Sequence, residues 1–356
     1  MGTFDVETEQ LIHMKEQDIS HSNKFHVMRI LLVVFFIGKK GLLKRSMITT
    51  STSNRMGGFY MGEYRLISDY KHIETYKESF NELAKQIFQL DFKEWYNKGF
   101  WNDNYVCYSY LDGEQVIANA SVSKMIVNIN GKDYEALQVG TVMTHPAYRN
   151  QGLAAKLMNH IIQRYEKEYD FIYLYANDTV LDFYPKFGFE RIQESSFCLL
   201  ASDLKKQVEQ KAVLRKLEVD SEADYLVMKE FVAKRIPVSS RLGVKNSEQL
   251  VMFYFLLVFR DAIYYVEEQD VIVLFERAED QLHVFDLVSK KPVDIEAVIS
   301  HLVTDETAII HFHFMPDSEN EKIQSALMTT TDDVLFVRPS FKMEIEHFRF
   351  PLTSHA

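Results

Sequence analysis

A strand that runs through a glycine-containing loop into an amphipathic helix is the feature that most constrains the fold of this chain. Residues 136–143 favour a strand, and residues 153–165 carry apolar side chains at the three- and four-residue steps of a half-buried helix. A short apolar strand, residues 171–175, follows. Because a strand, a helix and a strand in this order form a right-handed crossover, the segment predicts parallel pairing of its two strands.

Turn sequences elsewhere indicate antiparallel strands around this crossover. Residues 112–114 read Asp-Gly-Glu and residues 130–131 read Asn-Gly, and both separate strand-like runs. Residues 262–314 repeat the order of strands, a helix and a further strand. The sequence therefore predicts an α/β (α+β mixed sheet) fold that occurs twice, with no glycine-containing loop in the second copy.

At 356 residues the chain is long for one domain. We expect residues 1–57 to form an extension or flexible linker, with the folded part starting near Met61. Residues 58–205 would form a first domain and residues 215–356 a second.

The net charge of −11 disfavours a nucleic-acid-binding protein, which would show a basic surplus. The two cysteines, Cys107 and Cys198, have no CxxC partner, which fits a reducing, cytoplasmic compartment. The longest N-terminal apolar run, residues 30–37, is too short to cross a membrane, and the acidic residues before it disfavour a signal peptide. We therefore expect no nucleic-acid or membrane partner.

The loop before the helix is a natural site for an anion. The first turn of a helix leaves backbone N–H groups unpaired and carries the positive end of the helix dipole. Gly152 allows close approach of a ligand to the backbone, and the small Ala154 allows tight packing. One glycine in such a loop is also compatible with an ordinary connecting turn.

The whole string is more specific, because it resembles motif A of the GNAT acetyltransferase superfamily. In that motif Arg or Gln is followed by two residues, Gly, one residue, and Gly or Ala; here Arg149, Gly152 and Ala154 match it. A second family signature, Tyr-x-x-x-Gly-Phe, begins at Tyr184. The resemblance covers about residues 61–200 and implies the GNAT acyl-CoA N-acyltransferase fold, with acetyl-CoA as co-substrate and no metal.

The resemblance also implies residue roles. The cofactor-binding set would be Val142, Met143, Thr144, Arg149, Asn150, Gln151, Gly152, Leu153, Ala154 and Asn177. Within this set, the Met143 N–H would stabilise the oxyanion, and outside it Tyr184 would protonate the departing thiolate. The alternative for Tyr184 is a packed aromatic ring without a catalytic role.

The implied reaction is direct attack of a primary amine on acetyl-CoA. An amine with a pKa near ~10.4 must lose a proton before it attacks. Glu135, His145 and Asp103 are candidate bases by their places near predicted strand ends, although a solvated or loop position is the favoured alternative for each. The acceptor would be a small-molecule or peptide amine, and homo-oligomerisation is left open.

Other reactive side chains favour structural roles. We expect Cys107 to be buried rather than nucleophilic. His311 and His313 alternate on one strand face and could contact a metal, but the sequence names no third ligand.

The second domain resembles a degenerate GNAT copy, as in tandem members of the superfamily. In one such group the C-terminal carboxylate reaches the active site, a role that would fall on Ala356. The alternative reading is a wall of the acceptor cleft or a dimer interface.

Two other functions compete with acetyl transfer. One is a module that binds acetyl-CoA without turnover. The other is a tandem-fold transferase with a transfer RNA or lipid donor, which the intact loop and the acidic charge disfavour.

Overall fold

Two β-sheets and the helices packed on them make up the described part of the chain, which in this computed structural model is residues 64–205, 212–329, 333–339 and 345–356. The expected extension at residues 1–57 lies outside the described residues. The strands of these ranges are β1 (Arg65–Ser68), β2 (Tyr105–Asp112), β3 (Gln115–Ile129), β4 (Lys132–Thr144), β5 (Phe171–Ala176), β6 (Glu190–Ile192), β7 (Ser195–Leu200), β8 (Leu214–Lys216), β9 (Leu242–Lys245), β10 (Ile263–Val266), β11 (Val271–Ala278), β12 (Gln281–Ser289), β13 (Ile309–Phe312), β14 (Gln324–Leu327) and β15 (Val334–Arg338). The α-helices are α1 (Glu74–Phe88), α2 (Lys93–Asn97), α3 (Leu153–Tyr165), α4 (Glu222–Ala233), α5 (Glu248–Phe253) and α6 (Ile295–Leu302).

The first sheet has the order β1-β2-β3-β4-β5-β15-β6, and β9 pairs with the end of β3. Strands β4 and β5 are parallel and are connected by α3, whereas the other neighbours are antiparallel. Helix α3 buries Leu157, Met158 and Ile161 against one face of this sheet. The predicted α/β fold with a mixed sheet and a crossover is therefore confirmed.

The two turn sequences form hairpins. Gly113 joins β2 to β3 with φ of +61°, and Asn130 and Gly131 join β3 to β4 with φ of +49° and +80°. In the second hairpin, positive φ values at both central residues match the twist of the flanking strands, and asparagine and glycine tolerate them best.

The second sheet has the order β14-β7-β13-β12-β11-β10-β8. Its strands β12 and β13 are parallel and are connected by α6, which buries Val298, Ile299 and Leu302. The order of a hairpin, a strand, a helix and a parallel strand thus occurs in both sheets.

The sheets exchange strands. Strand β7, from the first predicted domain (residues 58–205), lies inside the second sheet, while β9 and β15, from the second predicted domain (residues 215–356), lie in the first. One hydrophobic cluster contains Phe171 of β5, Phe312 of β13 and Leu335 of β15, so it joins the two sheets. Within the described ranges, no helix is long and apolar enough to span a membrane.

Candidate active site

The loop between β4 and α3 presents a row of free backbone donors. It passes through a short 3-10 turn, Pro146–Tyr148, and reaches α3 through two left-handed residues, Asn150 with φ of +62° and Gly152 with φ of +74°. The N–H groups of residues 150–155 donate to no acceptor within the described residues, and α3 has no side-chain N-cap. Together with the helix dipole, these groups form a site for an anion.

The space beside this loop is open. A Cβ placed on Gly152 would meet nothing within 4 Å, so the glycine is required by its positive φ and not by crowding. The Arg149 guanidinium donates from Nε to the Thr144 carbonyl over 3.4 Å, and Gln151 accepts a hydrogen bond from the Tyr64 hydroxyl over 3.2 Å. Both side chains are exposed, whereas Leu153 is buried and contributes to the loop through its amide.

Strands β4 and β5 separate next to the loop. Their parallel pairing runs from Ala136 opposite Phe171 to Val139 opposite Leu174 and ends there, although both strands continue. Residues 140–144 of β4 therefore have no β5 partner, and those of their backbone groups that point away from β3 face an opening. A ligand with amide groups can extend β4 along this edge.

A β-bulge shapes β4 at the opening. Met143 pairs with Asn119 and Gly140 with Ser121, so Thr141 and Val142 together oppose one residue of β3. Thr141 has φ of +49° and is held by the buried Asn119, whose amide donates to its carbonyl over 2.9 Å.

The bulge also decides which amides face the opening. The His145 N–H donates to the Ile117 carbonyl over 2.8 Å, and Met143 lies two residues earlier, opposite Asn119. Because donors alternate between the two edges of an antiparallel strand, the Met143 N–H points to β3, and those of Val142 and Thr144 point to the β5 side. This direction disagrees with the expected use of the Met143 amide.

Residues 70–192, which contain this loop and both strands of the opening, match the family model of the acetyltransferase (GNAT) domain. This part of the chain is therefore similar to GNAT acetyltransferase domains. Part of the chain is similar to the N-alpha-acetyltransferase 50 of Danio rerio, with 35% identity over 69 residues, 18% of this chain and 41% of the relative. The chain thus spans less than half of that relative's length.

Solved structures share the fold over a wider range. A probable N-acyltransferase from Enterococcus faecalis matches with a TM-score of 0.53 and 15% identity, and a GCN5-related N-acetyltransferase from Kribbella flavida with 0.50 and 17%. Each match covers 78% of this chain and 72% of the other. At these identities the likeness concerns the fold alone.

Residues 355 and 356 also reach the opening between β4 and β5. A Cβ on Gly140 would lie 2.8 Å from the Ala356 carbonyl carbon, so only glycine admits this approach. His355 stacks on Tyr175 of β5 with ring centroids 3.7 Å apart. Since Val139 packs with α3 and side chains alternate along a strand, Ala356 approaches Gly140 from the sheet face opposite α3.

Tyr184 begins the 3-10 turn Tyr184–Phe187 and is buried, with 5% of its surface exposed. Its ring contacts Phe189 and Phe336 and belongs to the cluster that contains Leu153 and abuts Val142. Burial raises the pKa of Tyr184 to about 12. The structure thus brings Tyr184, the strand edge and the start of α3 into one cluster.

Asn177 follows β5 directly. Its carboxamide oxygen accepts from the Thr179 N–H over 3.1 Å, so part of this side chain shapes the local turn. Its place at the end of β5 is the one that the sequence predicts.

The three candidate bases occupy different places. Asp103 is exposed and ion-paired with Lys71 at 2.8 Å, which lowers its pKa. Glu135 is exposed and lies near the opposite end of β4 from the opening. His145 lies beside the anion site, and its Nδ1 accepts from the Ala147 N–H over 3.3 Å.

Cys107 is fully buried, and burial raises the pKa of its thiol to about 12. His311 and His313 meet a third histidine that spacing did not indicate, since His283 Nδ1 lies 3.2 Å from His313 Nε2. Burial lowers the pKa of His313 well below its usual value, and Arg349 lies 3.2 Å from its Nδ1. Among the described residues, no group of three or more His, Cys, Asp or Glu side chains could hold a metal ion.

Proposed function

We propose that this chain is an N-acetyltransferase that moves an acetyl group from acetyl-CoA to a primary amine by direct attack. The observation that carries the proposal is the opening of β4 away from β5 beyond Val139, next to the free amides of residues 150–155. A strand edge beside an anion site suits a ligand with an amide-containing arm and a pyrophosphate. Bound acetyl-CoA would supply an activated acetyl thioester.

We assign the pyrophosphate to the amides of residues 150–155, with the Arg149 and Gln151 side chains at the rim. The backbone of Val142 and Thr144 would pair with the amide-containing arm. We assign to the Val142 N–H, which points to the β5 side, the role of donor to the acetyl oxygen that the family resemblance gives to Met143. Asn177 would contact the arm from the end of β5.

The remaining roles concern protons. As the amine nitrogen bonds to the acetyl carbon and the carbon–sulfur bond breaks, the nitrogen loses a proton and the sulfur gains one. We assign the proton for the sulfur to the Tyr184 hydroxyl. Ala356, against Gly140 at the opening, borders the place where the amine would lose its proton.

We further propose that the second sheet is a degenerate GNAT copy. Its β12–α6–β13 crossover repeats β4–α3–β5, which supports the proposal. The start of α6 differs from that of α3, because the Asp294 carboxylate accepts from the Ala297 N–H over 3.2 Å. A carboxylate at this position repels a second anion, which accounts for a copy without a cofactor site.

A thiol-release screen tests the proposed function. Acetyl-CoA is offered to the full chain with polyamines, aminoglycosides, amino acids and peptides with free N-termini, and free thiol is measured with and without each amine. We expect thiol release that depends on at least one amine. Acetyl-CoA binding without amine-dependent release would instead establish a binding module.

A further inference from the structure

Residues 348–356, here named the C-terminal strap, connect the two sheets. The Ser195 N–H of β7 donates to the Phe348 carbonyl over 2.8 Å, and the Leu352 N–H donates to the His313 carbonyl over 3.1 Å. The strap starts on the second sheet and ends with His355 on Tyr175 and Ala356 on Gly140 in the first. The contacts of the strap with the second sheet therefore help to fix where its last residues lie on the first sheet.

A buried carboxylate of the second sheet receives the strap. Asp286 of β12 is 0% exposed and accepts two hydrogen bonds from Arg235, over 3.0 and 3.1 Å, and one from the Leu287 N–H over 2.8 Å. The Thr353 hydroxyl of the strap donates to its other face through Oδ2. A buried carboxylate is stable only where donors surround it, so this site favours one position of Thr353.

Thr353 is joined to the end of the strap by a hydrogen-bonded turn, so its position constrains that of His355 and Ala356. Thr353 is fully buried and lies in a 3-10 turn, Leu352–Ser354, in which the Ser354 and His355 N–H groups donate to carbonyls three residues earlier. The neighbouring Ser354 hydroxyl donates to the Pro351 carbonyl over 2.6 Å, within the strap itself. The Thr353 hydroxyl is thus a tie to the second sheet, and the Ser354 hydroxyl is not.

We propose that Thr353 and Asp286 are positioning residues for acetyl transfer, because they fasten the strap so that His355 and Ala356 complete the acceptor side of the opening. The inference rests on the proposed function. Asp286 lies on β12 of the second sheet, and Thr353 contacts it there. Both residues would therefore act through the strap and not on the reacting groups. The second sheet thereby sets the geometry of a reaction that takes place in the first.

Three variants of the full chain test this proposal. Thr353→Val keeps the shape of the side chain and removes the donor, Thr353→Ser keeps the donor, and Ser354→Ala removes the neighbouring hydroxyl. With an amine found by thiol release, we expect Thr353→Val to lower kcat about tenfold, which corresponds to ~1.4 kcal/mol, with the KM for acetyl-CoA unchanged. Thr353→Ser should restore kcat to within about twofold, and Ser354→Ala should stay near wild type.

Hydrogen exchange of the strap gives a second readout that does not need turnover. We expect the amides of residues 352–355 to exchange faster in Thr353→Val than in wild type, Thr353→Ser or Ser354→Ala. Wild-type exchange in Thr353→Val would refute the anchor, even in a chain without amine-dependent thiol release. Faster exchange with unchanged kcat, or equal losses of kcat in Thr353→Val and Ser354→Ala, would refute the positioning role.

Discussion

Tyr184 combines two properties that act in opposite directions on an acid. Its ring is buried among Phe183, Phe189 and Phe336, and burial raises the pKa of its hydroxyl to about 12. The hydroxyl therefore keeps its proton throughout the physiological range, but it is a weak acid toward a thiolate, whose own pKa is near ~8.5 for a cysteine-like thiol. We place its contribution at the low end of general acid catalysis.

Removal of this hydroxyl is expected to slow turnover without loss of the cofactor site. Tyr184→Phe should lower kcat about 10²-fold and leave the KM for acetyl-CoA unchanged. The matched control is Tyr165→Phe, since Tyr165 is buried in the same cluster and bonds to Tyr108 rather than facing β15. Equal kcat values for the two variants would remove Tyr184 from the mechanism.

Glu194 is a second buried titratable group near the strap. It accepts from the Phe350 N–H over 2.8 Å, and burial, the largest influence, raises its pKa to about 7. A carboxyl whose folded pKa lies above its unfolded value of 4.5 binds a proton more tightly in the folded state. Its stabilising contribution is complete below about pH 4.5 and is lost as the pH rises through about 7.

Glu194→Gln should therefore change the pH dependence of stability. The amide stays neutral, so the free energy of unfolding of the variant should match wild type at pH 4 and exceed it at pH 8 by on the order of 3 kcal/mol. Urea unfolding at both pH values measures this, with the exposed Glu190→Gln as control. A difference that is the same at both pH values would contradict the assigned titration.

At the level of elements, the loop before α3 needs a left-handed residue and open space at the same position. Gly152 and Gly131 both have positive φ, +74° and +80°, and a Cβ on either would meet nothing within 4 Å. Alanine at each position carries a similar backbone strain, about 1–2 kcal/mol. The two glycines differ in their location, since Gly152 precedes α3 at the proposed anion site and Gly131 lies in the β3–β4 hairpin.

Alanine variants of Gly152 and Gly131 separate the effect of backbone strain from the effect of a side chain that obstructs the ligand. Gly152→Ala should raise the KM for acetyl-CoA about tenfold, because its Cβ would stand where the pyrophosphate approaches the amides, whereas Gly131→Ala should leave that KM unchanged. Thermal unfolding should show similar losses of stability in both. An unchanged KM in Gly152→Ala would argue against the assigned pyrophosphate site.

Elements whose signals are local could be predicted from the sequence. The hairpin at Asn130 depends on two adjacent residues, and the crossover through α3 depends on its own apolar periodicity. The bulge at Thr141 could not be predicted, because it depends on Asn119 across the sheet. The directions of the Val142 and Met143 amides depend on that bulge, which is why the family resemblance alone pointed to a different donor.

At the level of the whole molecule, the exchange of strands between the two sheets could not be predicted either, because it also depends on contacts between distant segments. Nothing in residues 195–200 or 334–338 marks the sheet in which each strand pairs, and pairing is decided by tertiary contacts. The family resemblance suggested that Ala356 reaches the active site, but its approach to Gly140 and the Thr353–Asp286 contact that fastens the strap join residues far apart in sequence. Residues 58–205 and 215–356 therefore remain proposed domains that share strands.

The strand exchange and the strap make the full chain the right object for functional measurement. The central claim is amine-dependent acetyl transfer at the β4–β5 opening. Thiol release from acetyl-CoA, measured with product mass spectrometry on an amine identified by the screen, tests it most directly. We expect one acetylated amine for each thiol released, with no release in the absence of amine. Tight binding of acetyl-CoA with no acetylated product from any amine would contradict the claim.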